Sequence, residues 1–263
     1  MKKLLYIFLT VLIVACSGDD GGNDGGNNNQ SSCPIYLDSN GITIKACDDA
    51  NVGDTGVIDG VTYTVVDEAM LRDMVENEQD VTKVATTKVT DMYGMFGTAT
   101  ATSFNQPIGN WDVSNVTDMS EMFEEAFAFN QPIGNWDVSS VTDMESMFYD
   151  TNFNQPIGDW DVSSVTNMRS IFSVSIFNQP IGNWDVSNVT DMESMFYDNN
   201  FNQPIGDWDV SNVTDMESMF NFATSFNQDL SSWSVNNVTF CNQFSDGAYS
   251  WTLPQPNFTN CTP

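Results

Sequence analysis

The chain is organised around one phrase, which first occurs in full as Ile108-Gly-Asn-Trp-Asp-Val-Ser-Asn-Val-Thr-Asp-Met-Ser-Glu-Met-Phe123. Near-copies of the phrase follow one another, and each is preceded by Phe-Asn-Gln, which begins at positions 104, 129, 153, 177, 201 and 226. The copies therefore recur at a nearly fixed period, since 129 − 104 = 25 and 153 − 129 = 24. A period of this length is typical of a solenoid, in which each repeat buries its apolar side chains against its neighbours.

The apolar positions within one repeat change their period. Trp111 and Val113 alternate with Asp112, which favours a strand with the tryptophan on the core side, because an unpaired aspartate is not buried. From Met119 onward the apolar residues are three and four apart, which favours a short helix. We therefore predict an α/β solenoid in which each repeat runs strand, turn, helix and turn.

Identical residues in successive repeats are expected to form columns. The tryptophans and methionines predict core columns, since a tryptophan platform for sugars would require the aspartates to point inward. The asparagine of each Phe-Asn-Gln predicts an amide ladder that satisfies backbone groups in a turn. The columns are Trp111, Trp136, Trp160, Trp184, Trp208 and Trp233; Met92, Met119, Met144, Met168, Met192 and Met216; and Asn105, Asn130, Asn154, Asn178, Asn202 and Asn227.

The full repeat, Phe-Asn-Gln-Pro-Ile-Gly-Asn-Trp-Asp-Val-Ser-Asn-Val-Thr-Asp-Met-x-x-Met-Phe, resembles that of the bacterial BspA-like leucine-rich-repeat surface proteins. The resemblance covers roughly Val81 to Cys261. It implies a leucine-rich-repeat-like, right-handed coil, display at the cell surface and, for some members, adhesion to host or matrix proteins.

The first residues predict export. Lys2 and Lys3 precede an apolar run, 4–14, that is too short to span a bilayer, as in a signal peptide. The run ends in Ile-Val-Ala-Cys, which resembles a bacterial lipobox and makes Cys16 the lipidated residue; an ordinary signal peptide with a chance cysteine is the alternative. Ser17-Gly-Asp-Asp resembles the signal that sends some Gram-negative lipoproteins to the outer face. We expect a lipid-anchored outer-membrane protein that faces the exterior.

Four segments are predicted along the chain. Residues 1–15 are the signal peptide, and residues 16–32, which lack apolar residues after Cys16, are a lipidated flexible tether. Residues 33–80 are a β-rich module with one helix, and residues 81–263 hold the repeats and a C-terminal cap.

Local signals support the β-rich module. Asn40-Gly41 and Asp59-Gly60 are hairpin turns by composition, and Asp67 is a candidate N-cap of a helix that extends through Asn77. We expect this module to cap the first repeat.

Four cysteines follow Cys16. In an exported protein they predict disulfides between Cys33 and Cys47 and between Cys241 and Cys261. Metal ligation is the alternative, and it is disfavoured because the chain has no histidine and neither pair has zinc-site spacing. Without histidine the usual nucleophile-and-base pairs are also missing, so we expect no enzyme.

The composition is strongly acidic, with 36 Asp and Glu against 7 Lys and Arg and a net charge of −29. Nucleic acid and anionic headgroups are poor partners for such a surface, whereas cations, cationic proteins and neutral glycans remain. Solubility in saline surroundings is the simpler explanation.

The aspartate after each tryptophan predicts a column of carboxylates about 4.8 Å apart on an exposed face. Their repulsion requires relief by cations, serine hydrogen bonds or partial protonation. Calcium suits carboxylate and amide oxygens, and we place a candidate calcium site at Asp137, Asp161 and Asp185, with a diffuse counterion cloud as the alternative. The whole candidate face is Asp112, Asp137, Asp159, Asp161, Asp185, Asp207 and Asp209.

A second acidic column is interrupted by Asn167 and Arg169, and we expect Arg169 to pair with Glu145 and Glu193. The column consists of Asp118, Asp143, Asp191 and Asp215 beside Glu121, Glu145, Glu193 and Glu217.

Two functions fit the sequence. One is a monomeric surface adhesin or binding module for protein or glycan ligands, and the other is a structural display or spacer protein without a dedicated ligand.

Overall fold

A computed structural model describes residues 34–97 and 101–263. The predicted signal peptide, Cys16, the tether and Cys33 lie outside the described residues. In the part of the chain that is described, no helix is long and apolar enough to cross a membrane.

The N-terminal module consists of short strands and one helix. The strands are β1 (Ile35–Leu37), β2 (Ile44–Ala46), β3 (Thr55–Ile58) and β4 (Val61–Val65). Strand β1 pairs with β2 and β3 pairs with β4, both antiparallel, so the two predicted hairpins are confirmed. Asp59 and Gly60 form the second turn with φ values of 50° and 80°.

Helix α1 (Glu68–Glu76) begins at the predicted N-cap, where the Asp67 side chain accepts a hydrogen bond from the backbone N–H of Met70 at 2.9 Å. Its buried face packs on the first repeat. Strand β5 (Val84–Ala85) lies in that repeat and pairs in parallel with β4, which joins the module to the repeats. A short 3₁₀ turn follows at Ala101–Ser103.

The predicted α/β solenoid of strand-turn-helix repeats is wrong, because residues 104–263 form neither a strand nor an α-helix and the first repeat holds only the two-residue strand β5. The segment 111–114 is not a strand, and Val116 closes a tight turn by donating to Val113 O at 2.9 Å. The segment that begins at Met119 is a series of turns. Successive repeats meet as single-residue parallel bridges, which link Asp91, Asp118, Asp143, Asn167, Asp191, Asp215 and Phe240 in order.

The backbone hydrogen bonds explain why no helix forms. The N–H groups of Met119, Glu121 and Phe123 donate to carbonyls of the next repeat at 2.7–3.0 Å instead of to the preceding turn of their own segment. Glu121 has a φ of 54°, which an α-helix does not allow. The same alternation recurs in the later repeats, so these hydrogen bonds form a ladder of stacked turns that points to the following repeat. One threonine N–H per repeat points the other way, as Thr142 N–H donates to Thr117 O at 2.9 Å.

The predicted core columns are confirmed. One cluster of buried apolar side chains runs from Val66 to Trp251, and its tryptophans are at most 8 % exposed. Neighbouring rings stack; for example, the centroids of Trp136 and Trp160 are 6.5 Å apart with planes at 3°. The indole N–H is also satisfied, as Trp160 Nε1 donates to Ile133 O at 3.2 Å. The tryptophans therefore fill the interior.

The predicted amide ladder is also confirmed. Asn130 Oδ1 accepts from Asn154 N–H at 3.0 Å, and Asn154 Oδ1 accepts from Asn178 N–H at 3.0 Å. The ladder continues to Asn227, whose Oδ1 accepts from the N–H groups of Thr252 and Leu253.

One glycine in each interior repeat allows the backbone of the following repeat to approach closely. A Cβ added to Gly158 would lie 2.5 Å from Pro180 O, and the corresponding distance at Gly206 is 2.8 Å from Asp229 O. Because the backbones touch here, the position excludes larger residues.

The C-terminal tail covers part of the last repeat. Leu230 donates to Pro254 O at 2.9 Å, and Phe258 contacts Phe244 edge-on with ring centroids 4.9 Å apart. Cys241 and Cys261 form a disulfide, the pairing predicted from the sequence. Cys33 is outside the described residues, so its pairing with Cys47 stays a prediction.

Candidate ligand-binding face

The column aspartates other than Asp112 lie on the surface beside buried tryptophans, as predicted. We call the exposed side chains Asp137, Asp159, Asp161, Asp185, Asp207 and Asp209 the acidic face. The carboxylate that follows each tryptophan is fixed by the serine two residues later. Asp161 Oδ1, for example, accepts from Ser163 Oγ at 2.6 Å and from Ser163 N–H at 3.1 Å.

These hydrogen bonds stabilise the charged form. The Ser163 hydroxyl, followed by its N–H, holds the pKa of Asp161 below its usual value, and Ser211 does the same for the pKa of Asp209. The serine hydrogen bonds therefore favour the anionic form of these two carboxylates. The Oδ1 atoms are occupied in this way, whereas the Oδ2 atoms of Asp137, Asp161 and Asp185 have no hydrogen-bond partner among the described residues.

Asp112 departs from the column and is buried, at 2 % exposure. The N-terminal module covers it: Ile44 N–H donates to the neighbouring Asn110 O at 2.9 Å, and Lys45 Nζ lies 4.0 Å from Asp112 Oδ1. Thr87 Oγ1 and Ser114 Oγ donate to its two oxygens at 2.6 and 2.7 Å. Asp112 therefore ties the module to the repeats and does not belong to the acidic face.

Lys45 is a partner of Asp112 that the sequence pattern does not indicate. The attraction of Asp112 and Asp38 raises the pKa of Lys45 despite partial burial, so the lysine stays charged. Because Lys45 and Asp112 belong to different modules, far apart in the chain, no local pattern signals this contact.

No group of three or more Cys, Asp or Glu side chains within 34–97 and 101–263 is arranged to hold a metal ion. The serine hydrogen bonds provide one of the three forms of relief expected from the sequence. Calcium at Asp137, Asp161 and Asp185 stays a prediction.

The second acidic column coincides with the parallel bridges, and its members are half-buried. Arg169 contacts Glu193 through Nη1 and lies 3.7 Å from Glu145 Oε1, so its predicted pairing with both is confirmed. Asn167 Nδ2 donates to Asp143 Oδ2 at 3.2 Å and to Glu145 Oε2 at 3.1 Å. The third repeat therefore supplies donors to an otherwise acidic column.

Beyond Arg169 the column is less well compensated. Burial raises the pKa of Asp191, opposed by the Glu193 N–H, and the nearby Asp215 raises it further. Burial likewise raises the pKa of Glu193 although Arg169 lowers it. These carboxyls are therefore less stable as anions in the folded protein than in water.

Comparison with known proteins agrees with the repeat pattern. The family described as "Mycoplasma protein of unknown function, DUF285" matches residues 67–175 and 173–259. The chain belongs to this family. In this DUF285 protein the match begins at the N-cap of α1, so strands β1 to β4 lie outside it. No curated protein and no solved structure matches the chain significantly.

Proposed function

We propose that this protein is a cell-surface lipoprotein whose stacked repeats serve as a binding module for protein or glycan ligands. The observation that carries the proposal is the acidic face, where the same carboxylate recurs in successive repeats with one oxygen fixed by serine and the other exposed. Such an array offers several identical acceptors in line, which suits a ligand with repeated hydroxyl or cationic groups.

The resemblance of the repeat to BspA-like surface proteins supports the same proposal, since adhesion occurs among them. The membership in DUF285 adds a repeat family but no activity. The lipid anchor at Cys16 completes the proposal, because it would hold the repeats at the outer membrane, facing the exterior.

A display or spacer role is the second candidate. It is favoured by the serine hydrogen bonds and the Arg169 pairs, which satisfy much of the acidic surface internally. Binding of the purified protein without its signal peptide and Cys16, residues 17–263, to glycan and matrix-protein arrays separates the two.

The decisive variant replaces Asp137, Asp161 and Asp185 with Asn, which keeps an acceptor for each serine. The binding module predicts loss of array binding with unchanged folding by circular dichroism. A matched triple variant at Asp48, Asp49 and Asp54, which lie in the N-terminal module, should keep binding. If no array ligand is found, the spacer role is supported; equal loss in both variants would show non-specific charge effects.

Replacing Cys16 with Ser tests the anchor separately. The variant should leave the membrane fraction, and retention there would show that Cys16 is not the anchor.

A further inference from the structure

The ladder between repeats has a direction. In each repeat the N–H groups at the first methionine and at two and four residues beyond it point to the following repeat. Met192, Ser194 and Phe196, for example, donate to the carbonyls of Asp215, Glu217 and Met219 at 2.9–3.0 Å. The carbonyls that accept these bonds face the preceding repeat. One threonine carbonyl per repeat faces the following repeat instead, as Thr190 O accepts from Thr214 N–H at 2.9 Å.

The two ends of the ladder differ. At the first repeat the carbonyl of Tyr93 accepts from Arg72 Nη1 of helix α1 at 2.8 Å, so a cationic side chain covers that end. At the last repeat the N–H groups of Gln243, Ser245 and Gly247 have no acceptor among the described residues, nor does Thr239 O have a donor. We call these four groups the open edge.

The open edge is accessible and flanked by apolar side chains. Gln243 is exposed, and Ser245 and Gly247 are half-buried. Phe240, which occupies the position held by Asp or Asn in the preceding repeats, is 54 % exposed, and Tyr249 is 84 % exposed. The C-terminal tail lies beside the open edge: Gln255 Oε1 accepts from Ser245 Oγ at 3.2 Å, Phe258 packs on Phe244, and Cys261 is bonded to Cys241. These contacts leave the backbone N–H groups of Gln243, Ser245 and Gly247 without an acceptor among the described residues.

We propose that the open edge binds a basic and partly apolar segment of another protein, which takes up the turn conformation of a repeat and adds one more rung to the ladder. The segment would present alternate carbonyls to Gln243, Ser245 and Gly247, one N–H to Thr239 O and an apolar side chain to Phe240. The addition resembles that of a strand to a free sheet edge, because main-chain hydrogen bonds supply affinity.

Hydrogen-bond polarity excludes a second copy of this chain. Two open edges that face each other would bring N–H groups against N–H groups, and the carbonyl end of a second copy is covered by Arg72 and α1. A basic segment is favoured because the edge lies beside exposed Asp246 and half-buried Glu217 in a protein of net charge −29. The proposal concerns a surface other than the acidic face and does not depend on it.

The chain itself supplies matched probes. A capped peptide with the sequence of residues 165–174, in which Asn167 is replaced by Leu, carries the backbone pattern, a basic side chain and an apolar side chain at the position that faces Phe240. The peptide 213–222, in which Asp215 is replaced by Leu, is its acidic counterpart. We expect the basic peptide to shift the amide NMR signals of Gln243, Ser245 and Gly247 and to slow their hydrogen exchange. The acidic peptide should bind at least tenfold more weakly at low salt.

Two variants test the apolar contact. Phe240→Asn, which copies Asn167 and adds no charge, should weaken binding of the basic peptide about tenfold. Val57→Asn makes the same kind of change at a side chain that is 64 % exposed in the N-terminal module, and it should have no effect.

Three results would overturn the inference. The first is hydrogen exchange in the free protein that is as slow at the amides of Gln243, Ser245 and Gly247 as at those of Ser218, Phe220 and Phe222. The second is no change at the open edge with millimolar basic peptide. The third is a dimer in sedimentation equilibrium that protects these amides, which would make a second copy the occupant.

Discussion

Replacement of Gly158 with Ala probes the close contact between repeats. The added Cβ would lie 2.5 Å from Pro180 O, whereas ordinary contacts begin at 3.4 Å, so neighbouring backbones must separate by about 0.5–0.9 Å. The φ of Gly158 lies outside the left-handed region, so the residue itself can adopt the conformation. The contact alone decides the outcome.

The expected loss of stability follows from two opposing effects. Gly→Ala without a clash stabilises a protein by about 0.4–1 kcal/mol, because the unfolded chain has less freedom to lose. Overpacking typically costs about 1–3 kcal/mol. Pro180 O belongs to the backbone of a stacked repeat and cannot rotate away, so we expect a net loss of about 1–2 kcal/mol.

Urea denaturation monitored by tryptophan fluorescence measures this loss as a lower midpoint at an unchanged slope. Gly206→Ala, with 2.8 Å to Asp229 O, should lose less. Ser164→Ala, an exposed position in the same repeat as Gly158, is the control and should be within about 0.5 kcal/mol of wild type. A Gly158→Ala midpoint equal to or above that of the wild type would refute the reasoning.

Three further predictions follow from the charges and the disulfide. Asp191→Asn, which copies Asn167, should raise stability at pH 7. The pKa of Asp191 is raised in the folded protein, so the stability that the protonated carboxyl contributes is fully present below about pH 4 and is lost as the pH rises. The stability gain of Asp191→Asn over wild type should therefore vanish at low pH. An equal gain at pH 3 would contradict this. The double variant Cys241→Ser with Cys261→Ser, which lacks the disulfide, should lose about 3 kcal/mol of unfolding free energy in the chain-entropy estimate. The loss is measured against wild type with and without reductant. If reductant leaves the stability of wild type unchanged, the prediction is wrong. If calcium binds at Asp137, Asp161 and Asp185, it should raise the melting temperature of wild type but not of the triple Asn variant, and equal rises would leave only general screening.

The interior of the repeats could be predicted from sequence because a column needs only the period. Once Trp136 and Trp160 recur at the repeat period beside an aspartate, stacking and burial follow, whatever the backbone does between them. The same holds for the amide ladder of Asn130 and Asn154 and for the contacts of Arg169.

The backbone conformation could not be predicted in this way. Spacings of three and four at Met119, Met122 and Phe123 fit a helix, but they also fit stacked turns in which each turn returns a side chain to the core. What decides between them is whether Met119 N–H finds an acceptor in its own segment or in the next repeat, and the acceptor, Asp143 O, belongs to the next repeat. Helix periodicity assumes local pairing, which the positive φ at Glu121 prevents.

The predicted exposure of the aspartates that follow the tryptophans is wrong only for Asp112. Asp112 has the same local sequence as Asp137, yet it is buried because the N-terminal module lies over it. Contacts between a terminal module and one repeat break the translational symmetry, and a repeat pattern carries no information about them.

Because each interior repeat presents the same donors to the repeat that follows it and the same acceptors to the repeat that precedes it, one whole repeat can be added or removed without any new kind of contact. The carbonyls that one repeat offers at Asp191, Glu193 and Met195 are the ones that its neighbour offers at Asp215, Glu217 and Met219. Duplication of the stretch of DNA that encodes a single repeat would lengthen the protein by one layer and leave both ends intact. The length of this molecule is therefore open to rapid genetic change, while its cross-section is fixed by packing.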